Sequence, residues 1–113
     1  MIKVVQLDVD SKTSVELAAQ TIASDLGQEK LYAIVNNAGI GKGNINDVLR
    51  TNIYGVKLMC DAFIPLIDPS VGRIVNMSSG TAPGYVKRLS NKETINFFLK
   101  TDVTWEEIDD YLK

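Results

Sequence analysis

The chain has 113 residues, 45% of them hydrophobic, with 12 basic against 14 acidic side chains and a net charge of −2. That length suits one domain with a buried core, and the balance of charge leaves no basic surplus to suggest nucleic acid. No apolar run approaches a membrane span. Histidine is absent and cysteine occurs once, at Cys60, so imidazole-dependent triads, metal sites built on histidine and an internal disulfide are excluded. The first residues carry no signal-peptide pattern, and the expected compartment is the cytoplasm.

Residues 2–7 (Ile-Lys-Val-Val-Gln-Leu) are apolar and β-branched and predict a strand. Thr13 followed by Glu16 reads as a capping box. Val15, Ala18, Ala19, Ile22 and Leu26 then recur at helical spacing, closed by Gly27. Residues 31–35 predict a second strand, followed by a Gly/Asn-rich loop to about Asn46. A long helix is expected from Asp47 to Leu66, with Pro65 loosening its last turn. Leu49, Ile53, Val56, Cys60, Phe63 and Ile67 would make one continuous apolar face and Val48, Met59 and Leu66 a second stripe, so the helix is expected to be covered on more than one side. Residues 73–77 predict a third strand, 78–90 a loop and 91–100 a short helix. Thr104 with Glu107 forms a second capping box that opens a final helix.

Strand–helix–strand–helix–strand argues for a parallel sheet with right-handed crossovers. The expected fold class is α/β: a partial Rossmann-like fold with a three-stranded parallel β-α-β-α-β core and short C-terminal helices. All of it, 1–113, reads as one partial domain.

The most informative stretch is Asn36-Asn37-Ala38-Gly39. A strand that ends in residues with almost no side chain leaves bare backbone facing the crevice beyond its carboxyl end, where open α/β sheets bind ligands. Asparagine there can bond to the edge of a neighbouring strand. Inside the long helix, Thr51-Asn52-Ile53-Tyr54-Gly55 holds two poor helix formers, Gly costing ~1 kcal/mol against Ala, and such a pair calls for a reason.

With Leu7-Asp8-Val9 before them and Gly72-Arg73-Ile74-Val75-Asn76-Met77-Ser78-Ser79 after them, these motifs stand in the order found in the short-chain dehydrogenase/reductase family, which the chain resembles. The resemblance implies that Asp8 accepts a bond from the adenine amino group and that Val9 lines the adenine pocket. It places Asn36, Ala38 and Gly39 on the adenosine side of the cofactor. Asn52 would hold a water of the proton relay, and Ser79 would bond the substrate carbonyl. No residue is expected to ligate a metal. The segment from about 91 to 113 is similar to an insertion of carbonyl reductases and salutaridine-reductase-like enzymes, often monomeric. The implied reaction is reduction of a small ketone or aldehyde by NADPH, which resemblance alone prefers over NAD.

Parts of the family pattern are missing. No glycine-rich phosphate turn precedes residue 2, and no Tyr-x-x-x-Lys pair follows Ser79. Gly39-Ile40-Gly41-Lys42-Gly43 fails as a phosphate loop, because Asn44 stands where a third glycine is needed. Tyr85-Val86-Lys87 and Tyr111-Leu112-Lys113 have the wrong spacing for two groups on one helix face. The chain is therefore expected to be truncated at both ends relative to the family and to have little or no activity alone. A non-catalytic module that binds a full-length reductase, and an unrelated nucleotide-binding α/β domain, are the alternatives. In the doubly wound order 3-2-1-4-5-6, strand 2–7 would lack its neighbours. The chain would then be a fragment, or pair 2–7 directly with 31–35, or have its sheet completed by a partner.

Overall fold

The computed structural model describes residues 2–113. They form two compact units, residues 2–77 and 78–113, each described below by itself.

The first unit begins with an extended segment and a tight turn at Asp8–Asp10 that leads into α1, Lys12–Leu26. The cap of α1 is Ser11, whose hydroxyl accepts the Ser14 N–H, and not the expected Thr13. Ser11 has the extended backbone of an N-cap residue, whereas Thr13 is already helical. Gly27 ends the helix with φ 60°, where a side chain would be strained.

Strand β1 spans Ala33–Asn36 and pairs in parallel with β2, Arg73–Asn76, in the register Ile34 to Ile74 and Asn36 to Asn76. Between them runs one continuous helical rod. Its parts are α2 (Ile45–Leu49), a π-helical turn (Arg50–Tyr54), α3 (Gly55–Phe63) and a 3₁₀ turn (Ile64–Leu66) that carries Pro65. The widened turn contains Asn52 and ends just before Gly55, which opens α3. It also shifts the phase of the rod. The buried side is Thr51, Gly55 and Phe63, joined by Leu58, Met59, Ala62, Leu66 and Ile67; Phe63, Ile67, Met59 and Leu66 of the expected stripes lie on it, whereas Leu49, Ile53 and Cys60 stay half-buried.

The core lies on one face of the sheet, where Val15, Ala18 and Ala19 of α1 meet Ile34 and Phe63. The two alanines let α1 approach closely. On the opposite face Val35 remains 59% exposed and Val75 44%, although parallel sheets are ordinarily covered on both sides.

The sheet has two strands, not the expected three. Residues 2–7 keep the period of a strand, with Val5 and Leu7 packed on the core and Ile2 and Val4 facing solvent. They have no ladder partner among the described residues. The segment instead runs beside α1, where Lys3 pairs with Asp25. It does not pair with β1, and hydrophobic alternation cannot supply a lateral neighbour.

The second unit consists of α4 (Thr81–Val86), α5 (Lys92–Leu99) and α6 (Trp105–Leu112). Helix α4 falls where a loop was expected. Its Pro83 sits in the first turn, where the missing N–H costs no helical bond. Asn91 caps α5, and the expected capping box of Thr104 and Glu107 opens α6. Phe97 stacks on Tyr111, with ring centroids 4.8 Å apart. No described helix of the chain is long and apolar enough to cross a membrane.

Candidate functional site

Three segments of the first unit converge at the carboxyl end of β1. The first is the turn at Asp8–Asp10. Asp8 Oδ1 accepts the Asp10 N–H at 3.0 Å, and the Asp8 N–H donates to Ser14 Oγ at 2.9 Å. The second is the end of β1. Asn36 is buried and donates through Nδ2 to Asn76 Oδ1, 2.7 Å away on the paired strand, and to Cys60 Sγ at 3.6 Å. The asparagine thus bonds to the neighbouring strand, as its position suggested. Its Oδ1 is buried with no donor.

The third segment is the π turn. Asn52 Oδ1 accepts the Ile40 N–H at 2.8 Å, and its Nδ2 donates to the Ile40 carbonyl at 2.9 Å. Both polar atoms of Asn52 therefore clamp the backbone just beyond Gly39. A Cβ on Gly39 would come within 3.2 Å of Asn52 Oδ1, and one on Gly55 within 3.2 Å of the Val9 carbonyl oxygen. At both positions a side chain would fit only if its neighbour gave way by a few tenths of an ångström.

Between the segments lies a cavity of about 160 Å³, walled by Val9, Val35, Asn36, Ala38, Thr51 and Met59 among others. It brings together three of the expected site residues, Val9, Asn36 and Ala38. Asp8 lies outside it and lines a separate depression with Gln6, Ser14 and Leu17. Gly39 and Asn52 are linked to the cavity through the Ile40 clamp. Ser79 belongs to the second unit, where its Oγ accepts from the Thr81 N–H at 3.3 Å and lies 3.0 Å from the Thr81 hydroxyl.

Sequence reasoning did not single out Asp10, Arg50 or Thr51. Asp10 Oδ2 accepts from Thr51 Oγ1 at 2.9 Å and from Arg50 Nε at 3.1 Å, and Arg50 also reaches Asp47 at 2.8 Å. The hydrogen bond that Arg50 donates to Asp10, then the charge of Asp47, push the pKa of the Arg50 guanidinium above its ordinary value. Adjacency was the available signal: Asp10 follows Asp8-Val9, and Arg50-Thr51 precede Asn52. Among the described residues no group of three or more His, Cys, Asp or Glu could hold a metal ion.

The family model for short chain dehydrogenase matches residues 1–91, and the chain belongs to that family. It is 34% identical over 83 residues to human short-chain dehydrogenase/reductase family 9C member 7, covering 65% of this chain and 26% of that protein. With carbonyl reductase [NADPH] 1 of Bos taurus it shares 30% identity over 112 residues, 91% of this chain and 39% of the other. The crystal structure of salutaridine reductase from Papaver somniferum superposes with a TM-score of 0.74 at 26% identity, over 96% of this chain and 50% of that one. The chain thus spans between a quarter and a half of the proteins it matches, and its fold is a partial Rossmann-like α/β unit.

Proposed function

We propose that this chain forms the adenosine end of a dinucleotide site in an enzyme that reduces ketones or aldehydes to alcohols with NADPH. The observation that carries this reading is the cavity at the carboxyl end of β1, where Val9, Asn36 and Ala38 share one wall. Its volume of about 160 Å³ is close to that of an apolar cavity of about 150 Å³ that admits a benzene ring. A planar heterocycle therefore fits. Val9 and Met59 would cover its faces. The buried Asn36 Oδ1, which has no donor, would accept from an amino group at its edge. Asp8 would act at the rim by shaping the turn that presents Val9. Bare backbone at Ala38 and Gly39 would let a ribose approach.

When bound, the nicotinamide cofactor supplies a hydride to the carbonyl carbon. Ser79 would donate its hydroxyl to the carbonyl oxygen as negative charge develops there. Asn52 would serve the proton relay by holding the Ile40 backbone and the π turn in place. The preference for NADPH follows the likeness to bovine carbonyl reductase [NADPH] 1. The expected compartment remains the cytoplasm, and the substrate a small carbonyl compound.

The 113 residues contain neither a glycine-rich phosphate turn nor a Tyr-x-x-x-Lys pair. We expect them to bind the nucleotide weakly and to turn over little or no substrate. Titration of the labelled chain with NADPH, followed by amide shifts, should move Val9, Asn36 and Ala38 saturably. Shifts confined to other residues, or none, would sink the reading. Steady NADPH oxidation with a ketone would overturn the expected inactivity. The uncovered sheet face at Val35 and Val75 favours a second reading, a non-catalytic module seated on a full-length reductase. Co-elution of the two proteins on size exclusion would support it.

A further inference from the structure

The walls of the cavity are not held together by the sheet alone. Val9 belongs to the turn before α1, and Ala38 to the loop after β1. Both segments are fastened to the same π turn. On one side Thr51 Oγ1 and Arg50 Nε donate to Asp10 Oδ2 at 2.9 and 3.1 Å. On the other, Asn52 grips the Ile40 backbone at 2.8 and 2.9 Å. Thr51 and Gly55 lie one turn apart on the same buried side of the rod, and Gly55 meets the Val9 carbonyl and side chain.

We propose that Asp10 and Thr51 are positioning residues: their hydrogen bond fixes the π turn, so that Asn52 holds the Ile40 loop and the cavity keeps its width. Asp10 does not line the cavity, but bonds to Thr51, which does. Its second oxygen, Oδ1, is buried without a donor. Buried acceptors left in that state are rare and call for an explanation. The ion pair made by Oδ2 supplies one, because the charge of Arg50 favours a carboxylate over an amide at this place. Asp10 also holds Arg50, which Asp47 grips from α2. The charged groups facing Asp10 and Arg50 thus come from both the turn and the rod.

For the nucleotide arm, the inference rests on the proposed cofactor site. The first measurement is independent of it. Amide hydrogen exchange of the 113-residue chain without ligand should show the Ile40 N–H, which Asn52 accepts, exchanging about tenfold faster in Thr51→Val. Thr51→Ser, which keeps the hydroxyl, should restore protection. If Thr51 merely filled space, Val would be harmless and Ser would do the damage, and that result would overturn the proposal. Asp10→Asn gives a second route. It keeps the size and loses the charge, and it should deprotect Ile40 less than Asp10→Ala does. Equal exchange at Ile40 in all variants would also overturn the proposal. In the second arm, NADPH titration should give a dissociation constant about tenfold weaker for Thr51→Val than for Thr51→Ser. If the unaltered chain fails to bind NADPH, the cofactor reading falls and the exchange arm still decides the positioning role.

Discussion

The two units reach order by different means. Residues 2–77 contain the buried hydrophobic side chains, Val15, Ala18, Ala19, Ile34 and Phe63, while α4, α5 and α6 have no buried residue at all. The second unit relies on helix caps, the Lys100–Glu107 ion pair and exposed aromatic contacts among Tyr85, Phe97, Phe98 and Tyr111. Burial contributes over many atoms at once, whereas a cap or ion pair acts within one or two turns. Substitutions in the first unit should therefore act across it, and those in the second should stay local.

The largest effect is expected from Phe63→Ala. Phe63 is 4% exposed, and emptying such a site costs ~3–5 kcal/mol, a large share of a domain's stability. Denaturant unfolding followed at β1 and α1 should shift to much lower concentration, with α6 amides little changed. Loss of α6 protection to the same extent would break the contrast between the units. Next comes Gly55→Val. A Cβ there meets the Val9 carbonyl and side chain at 3.2 Å, and such overpacking costs about 1–3 kcal/mol. It should displace Val9 and Asp10 in amide spectra while leaving the second unit unmoved.

How much of this was legible in the sequence also divides along physical lines. Local signals read well. The capping box at Thr104, the Gly27 stop, both strands of the sheet and the softened turn at Pro65 follow from neighbours in sequence. The oddity of Asn52 and Gly55 in a helix was visible too, and the π turn is its structural form. What failed depended on distant partners. Residues 2–7 have a strand's pattern, yet a ladder needs a second backbone beside them. Residues 78–90 were expected as a loop, but Pro83 in a first helical turn gives up no bond and α4 forms there. Val9, Asn36 and Ala38, named from motif order, line one cavity. Asp10 and Thr51, 41 positions apart, have no mark in sequence that they touch.

Thr104→Ala sharpens the comparison from the other side. The Thr104 hydroxyl accepts the Glu107 N–H at 3.2 Å, and Glu107 Oε2 accepts the Thr104 N–H at 2.8 Å. Losing an N-cap of this kind costs ~1 kcal/mol. The expected result is faster exchange through the first turn of α6 alone, with the unfolding midpoint of β1 and α1 unaltered.

The smallest effect is a titration. In the first unit, the Ser70 and Val71 N–H groups donate to Asp68 Oδ1 at 2.8 and 3.1 Å. Those bonds pull the Asp68 carboxyl below its ordinary 3.8. In the second, the Lys100 ammonium and then the Thr104 N–H hold Glu107 below its ordinary 4.5. A carboxyl lowered in the folded state stabilises that state fully above its unfolded value. The contribution shrinks as pH falls below that value and is gone once the folded group is protonated. Both carboxyls are solvent-facing, so screening keeps the effect modest. Acidification below about pH 4.5 should therefore loosen α6 before the turn at Asp68, because Glu107 starts from the higher ordinary value. Amide protection measured at Glu107 and Ser70 across that range checks the order. Simultaneous loss at both would mean that one cooperative transition joins the two units.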